Sequence, residues 1–152
     1  MTMFFDDLSE GEMFESGSHT VTKAEIISFA EQFDPQPFHV DEEAAQDSMF
    51  GGLVASGLHT LSLATRLTID GCLSEIANMG GSGMDELRWY TPVRPGDTLS
   101  VRVEVLEKTP SESRSDRGYV DLKRRVYNDD GEEVMSAISH NIVRRRESDG
   151  EA

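Results

Sequence analysis

The segment Phe33-Asp34-Pro35-Gln36-Pro37-Phe38-His39 places a carboxylate and an imidazole five positions apart on a stretch stiffened by two prolines. Each proline fixes its own φ and biases the residue before it toward extended geometry. Asp34 and His39 can hold one water molecule between them, and these side-chain types take or give a proton near neutral pH when suitably placed. A plainer reading stands beside this one. An Asp ahead of prolines is often only a cap or turn residue, and a lone His is often a packed, hydrogen-bonded side chain. From the residues alone the plainer reading is preferred.

The elements around the pair are well marked. Thr22-Lys23-Ala24-Glu25 forms a capping box, and Ile26, Ile27, Phe29, Ala30 and Phe33 continue it as a helical stripe. The helix should run from about Lys23 to Phe33 and stop at Asp34, because Pro35 disfavours α geometry there. Asp41 should cap a short second helix, which puts Asp34 and His39 in the turn between two helices. A long helix is expected from Ser56, with Leu58, Leu61, Ala64, Thr65, Leu67, Thr68, Cys72, Ile76 and Ala77 near helical spacing. Gly71 is a candidate interruption, and Gly80-Gly81-Ser82-Gly83 is expected to end it.

The second half reads as a strand meander. Met84 to Val93 is the first strand, and Arg94-Pro95-Gly96-Asp97 is a turn. Leu99, Val101, Val103 and Val105 then alternate with polar residues, the mark of a half-buried strand. Strands from about Tyr119 to Tyr127 and Glu133 to Val143 flank the turn Asn128-Asp129-Asp130-Gly131. Helices packed on an antiparallel sheet make one α+β domain, and residues 144–152 are expected to be a flexible tail.

The run FAEQFDPQPFHVDEEAA, followed by GGLVASGLHTLSLATRL and ELRWYTPVRPGDTL, resembles the MaoC-like dehydratase family, which includes the (R)-specific enoyl-CoA hydratases. The resemblance implies a single hotdog domain over residues 1–143, a long central helix wrapped by an antiparallel sheet. It also implies reversible hydration of a trans-2-enoyl-CoA to an (R)-3-hydroxyacyl-CoA. Asp34 and His39 fall on the motif's functional positions, so catalysis becomes the preferred reading for both. Asp34 is assigned as the base, and His39 as the group that orients the water and relays its proton. The Gly57 N–H is expected to take the thioester carbonyl, and Thr65 falls where the hydratases often carry an active-site serine. Gln36 stands where the family commonly has Asn, and Ser56 replaces a frequent histidine. The resemblance further implies an acyl-CoA or acyl-carrier thioester as substrate, no cofactor, and a homodimer or an assembly of dimers. A hotdog thioesterase and a noncatalytic acyl-thioester binding protein are the alternatives.

The remaining candidates carry less. His59 lies on the long helix as a packing residue, and His19 and His140 sit on strands without a motif. A metal site from His39, Asp41 and Glu42 is disfavoured, because the two carboxylates have a simpler task in starting a helix. The single cysteine, Cys72, forbids an internal disulfide.

With 14 basic and 29 acidic residues, the formal charge of −15 argues against nucleic acid as a partner. No basic, apolar leader or membrane-spanning run is visible, so a cytoplasmic protein without membrane attachment is expected. Three lysines stand against eleven arginines, a lysine-poor acidic balance that resembles adaptation to high internal salt. Screening of self-repulsion should then raise the melting temperature as KCl rises toward 1 M, where the Debye length is about 3 Å. A melting temperature that falls steadily with added KCl would refute the high-salt expectation.

Overall fold

The computed structural model describes residues 1–147. Four helices and five strands follow one another as β1 (Met13–Thr20), α1 (Lys23–Phe33), α2 (Pro37–Val40), α3 (Glu42–Gln46), α4 (Gly57–Gly71), β2 (Asn78–Trp89), β3 (Thr98–Pro110), β4 (Arg117–Tyr127) and β5 (Glu133–Arg144). The strands form one antiparallel sheet in the order β1-β3-β4-β5-β2. The sheet wraps α4 in the α+β hotdog arrangement.

Local signals set the helix starts. Thr22 Oγ1 accepts from the Glu25 N–H at 3.2 Å and Glu25 Oε1 accepts from the Thr22 N–H at 2.6 Å, closing the capping box of α1. Asp41 caps α3 by accepting from the Glu43 and Ala44 N–H groups. The segment between α1 and α3 departs from the expected turn. Pro37–Val40 is one helical turn, with Pro37 in its first-turn position and the Asp41 N–H donating to Pro37 O at 2.9 Å.

The long helix is shorter than its apolar pattern. It stops at Gly71, where a Cβ would lie 3.0 Å from the Ser16 backbone, so glycine eases the close crossing of α4 and β1. Cys72 and Ile76 still point into the core from the short turn that follows, which is why their spacing mimics a continuing helix. Gly80-Gly81-Ser82-Gly83 does not end the helix; it lies within β2, whose register against β5 shifts three times.

The core lies between α4 and the concave face of the sheet. Leu99, Val101, Val103 and Val105 are all buried on β3, as their alternation requires. The expected tail is partly held. Arg144 closes β5, the Arg145 N–H donates to Asp116 O, and Arg146 pairs with Asp7. The rest of that expectation, from residue 148 on, lies outside the described residues.

His140 joins three strands. On β5, it bonds Asp121 of β4 at 2.7 Å through Nδ1 and Asp85 of β2 at 2.6 Å through Nε2. The Asp121 hydrogen bond, followed by that of Asp85, raises its pKa above the ordinary imidazole value. A raised folded-state pKa gives stability that is full below about pH 6.5, the unfolded value, and lost as pH rises through the folded one. The melting-temperature gap between the parent and His140→Gln should therefore be widest below about pH 6.5 and narrow as the pH rises above it. A gap independent of pH would exclude this linkage.

Candidate active site

Asp34 follows the last turn of α1, where its N–H still donates to Ala30 O at 2.8 Å and its backbone has left helical geometry. Its carboxylate is doubly held. The Gln36 amide donates to Oδ1 at 2.6 Å, and the Ser56 hydroxyl donates to Oδ2 at 2.7 Å. Since a carboxylate only accepts, both contacts favour its ionised form. The Ser56 bond is the largest influence and, with Gln36, outweighs partial burial, so the Asp34 pKa lies below the usual carboxylate value. The longer Gln36 side chain thus still reaches the aspartate.

His39 is buried on the α2 turn, and its Nδ1 donates to Val54 O at 2.6 Å. A carbonyl oxygen cannot donate, so this bond places a proton on Nδ1, and Nε2 is the ring nitrogen that faces Asp34. The Nε2 to Oδ2 distance is 3.4 Å. Both residues line the same cavity, where one water can bond the two groups.

Ser56 is also the N-cap of α4, its Oγ accepting from the Leu58 N–H at 3.2 Å. Gly57 is the first residue of that helix, where backbone N–H groups lack intrahelical partners and the helix dipole favours negative charge. A Cβ on Gly57 would meet the Trp89 indole at 2.6 Å, and Trp89 Nε1 donates to Gly57 O at 3.1 Å. Only glycine fits beneath that ring as it stands. Asp34, His39, Ser56, Gly57 and Trp89 line one cavity of about 440 Å³. The arrangement can activate a water on one wall and hold a developing oxyanion on another.

Thr65 is not in this cavity. Its Oγ1 donates to Leu61 O at 3.0 Å and accepts from Arg124 at 3.1 Å, and it lines a second cavity further along α4. The other histidines have structural surroundings. His59 is buried and stacked on Phe29 at 4.7 Å, and burial pushes its pKa down. His19 bonds Glu25 at 3.0 Å. Among the described residues no group of three or more His, Cys, Asp or Glu side chains is placed to hold a metal ion. Among the same described residues no helix is long and apolar enough to cross a membrane.

Sequence reasoning missed the contact of Ser56 with Asp34, reading Ser56 there as a helix start and a lost imidazole, and missed Trp89. A hydroxyl opening an apolar helix is a legible N-cap, but its contact with Asp34, 22 residues earlier, has no local signature. Trp89 reaches Gly57 across 32 residues, and nothing in either segment announces it.

Residues 8–124 match the MaoC like domain. The crystal structure of a MaoC-like dehydratase from Rhodospirillum rubrum superposes with a TM-score of 0.89 at 45% identity, covering 96% of this chain and 99% of that one. An uncharacterised protein of Bacillus subtilis, YdeM, is 34% identical over 94% of this chain and its own full length. An (R)-specific enoyl-CoA hydratase of Rhodospirillum rubrum is 31% identical, covering 70% of this chain and 72% of the relative. With a domain match over most of its length and a near-complete superposition, this chain belongs to the MaoC-like dehydratase family.

Proposed function

We propose that this protein hydrates trans-2-enoyl-CoA thioesters reversibly to 3-hydroxyacyl-CoA thioesters. The observation that carries the reading is the pairing, in one cavity, of an ionised Asp34 facing His39 Nε2 with the first-turn N–H of Gly57. The R configuration of the product is drawn from the named activity of the Rhodospirillum rubrum hydratase.

In the hydration direction the shared water gives a proton to Asp34 as its oxygen bonds to the β-carbon of the enoyl group. His39 accepts the water's second O–H and fixes its approach, its own ring held by the Val54 carbonyl. The electrons of the C=C bond move to the α-carbon and the thioester oxygen, where the Gly57 N–H supports the enolate. The proton taken by Asp34 then passes, with His39 as relay, to the α-carbon. One water is consumed, one C–O and one C–H bond form, and the carboxylate is restored.

The test is a single incubation with a trans-2-enoyl-CoA, followed by two readouts. Loss of enoyl absorbance without release of free CoA thiol is expected. Thiol release would instead establish the thioesterase alternative, and binding with neither signal a noncatalytic protein.

We further expect a homodimer or an assembly of dimers. β2 is an edge strand of the sheet and exposes Met79, Met84 and Trp89 alongside its unpaired backbone, an edge that a second copy would cover. Sedimentation should give twice the chain mass or a multiple of it. An active monomer would exclude this assembly.

A further inference from the structure

The alternation that buries Val120, Leu122 and Val126 on β4 also turns Arg124 inward, where it is only 4% exposed. Its guanidinium donates to Thr65 Oγ1 at 3.1 Å, and its Nε is buried without a partner. It forms no ion pair among the described residues; the Glu104 carboxylate pairs with neighbouring Arg125. Cys72 is no counter-ion either, because burial pushes its thiol up to about 11 and keeps it neutral at pH 7. The same burial disfavours the charged guanidinium. A second orphan lines the same cavity: Asn141, 5% exposed on β5 and paired in register with Val120, has an Nδ2 with no partner among the described residues. Arg124, Asn141 and Thr65 line a cavity of about 560 Å³ whose walls include Ile69 and Met84.

An unpaired buried cation and an unpaired buried amide are both unfavourable without a ligand, and here both border one open volume. We propose that this cavity is a carboxylate-binding site, in which the Arg124 guanidinium receives the anion, the Asn141 amide supplies a further donor from another part of the wall, and Thr65 holds the guanidinium in place. The guanidinium offers parallel N–H groups matched to a planar carboxylate, and the apolar walls suit the hydrocarbon that carries it. Two sources supply that chemistry: the far end of a dicarboxylic acyl thioester, or a free carboxylic acid. Thr65 is eight residues beyond Gly57 on α4, about 12 Å along the axis, which sets the chain reach the first source needs. That source rests on the hydration reading; the site itself does not.

The test uses the full chain, Arg124→Met and Asn141→Leu, with sodium adipate or inorganic phosphate at matched ionic strength. Adipate should raise the parent's melting temperature and phosphate should not. The adipate shift should vanish in Arg124→Met and shrink in Asn141→Leu, which keeps the question decidable if the arginine variant does not fold. Unliganded Arg124→Met should melt no lower than the parent, since a buried charge gives way to an apolar chain of similar reach. In the kinetic arm, ten-carbon trans-2-enoyl-CoAs ending in carboxylate or methyl are compared. If the acyl group is the source, Arg124→Met lowers the parent's preference for the carboxylate at least about 10-fold; an unchanged preference with adipate binding retained assigns a free acid. Adipate binding without any hydration supports the site and refutes the enzymatic reading. An adipate shift that survives in Arg124→Met, a phosphate shift equal to that of adipate, or no adipate shift in the parent would overturn the proposal.

Discussion

Asp34→Asn and His39→Gln should each fold and each lose roughly 10²- to 10⁴-fold in hydration rate, the range set by removal of a positioned acid or base. Both substitutions keep the size of the side chain, so circular dichroism and melting should stay near the parent while enoyl absorbance persists. Acting on one water as a unit, the two should combine to a double variant little worse than either single one. Binding of the enoyl thioester should survive in all three, because the Gly57 N–H and the cavity walls are untouched. The pH profile gives a second readout. The Ser56 and Gln36 bonds hold the Asp34 carboxyl below its usual value, so loss of activity through its protonation should begin only below about pH 4. Ser56→Ala removes the largest of these influences and should move that acidic limb upward. Full activity in folded Asp34→Asn would defeat the mechanism.

Gly57→Pro deletes the proposed enolate donor while suiting a first helical turn, and a loss of about 100-fold or more is expected by comparison with lost oxyanion donors. Any Cβ at this position also strikes the Trp89 indole at 2.6 Å. The informative comparison is therefore made in a Trp89→Ala background. There Gly57→Ala keeps the N–H and should match the Trp89→Ala rate, whereas Gly57→Pro should fall about 100-fold below it. Equal rates for the alanine and proline variants would place the donor elsewhere.

The contrast between what could and could not be read from the sequence is physical. Thr22, Glu25 and Asp41 act within three residues of themselves, so the starts of α1 and α3 were legible, and the alternation from Leu99 to Val105 located the core face of β3. Gly71 was legible as a candidate interruption of α4, but its close approach to Ser16, 55 positions away in the chain, was not. The glycine run from Gly80 to Gly83 looks like a break, yet pairing with β5 carries it as a strand. At the candidate site, family resemblance pointed to Asp34, His39 and Gly57, which line one cavity, but the groups that fix their geometry, Val54 O, Ser56 and Trp89, act across the fold. Arg124 was visible in principle as a cation on the inward row of β4 between Leu122 and Val126.

Ser56 occupies two roles with one oxygen: it donates to Asp34 and accepts from the Leu58 N–H. The charge state of the carboxylate is thereby tied to the fraying of the first turn of α4. Hydrogen exchange at the Leu58 amide becomes a built-in gauge of the aspartate some 20 residues earlier in the chain. The same coupling narrows the paths open to sequence drift: a replacement at position 56 must serve as donor and acceptor at once, so the helix start and the acid/base group can only change together.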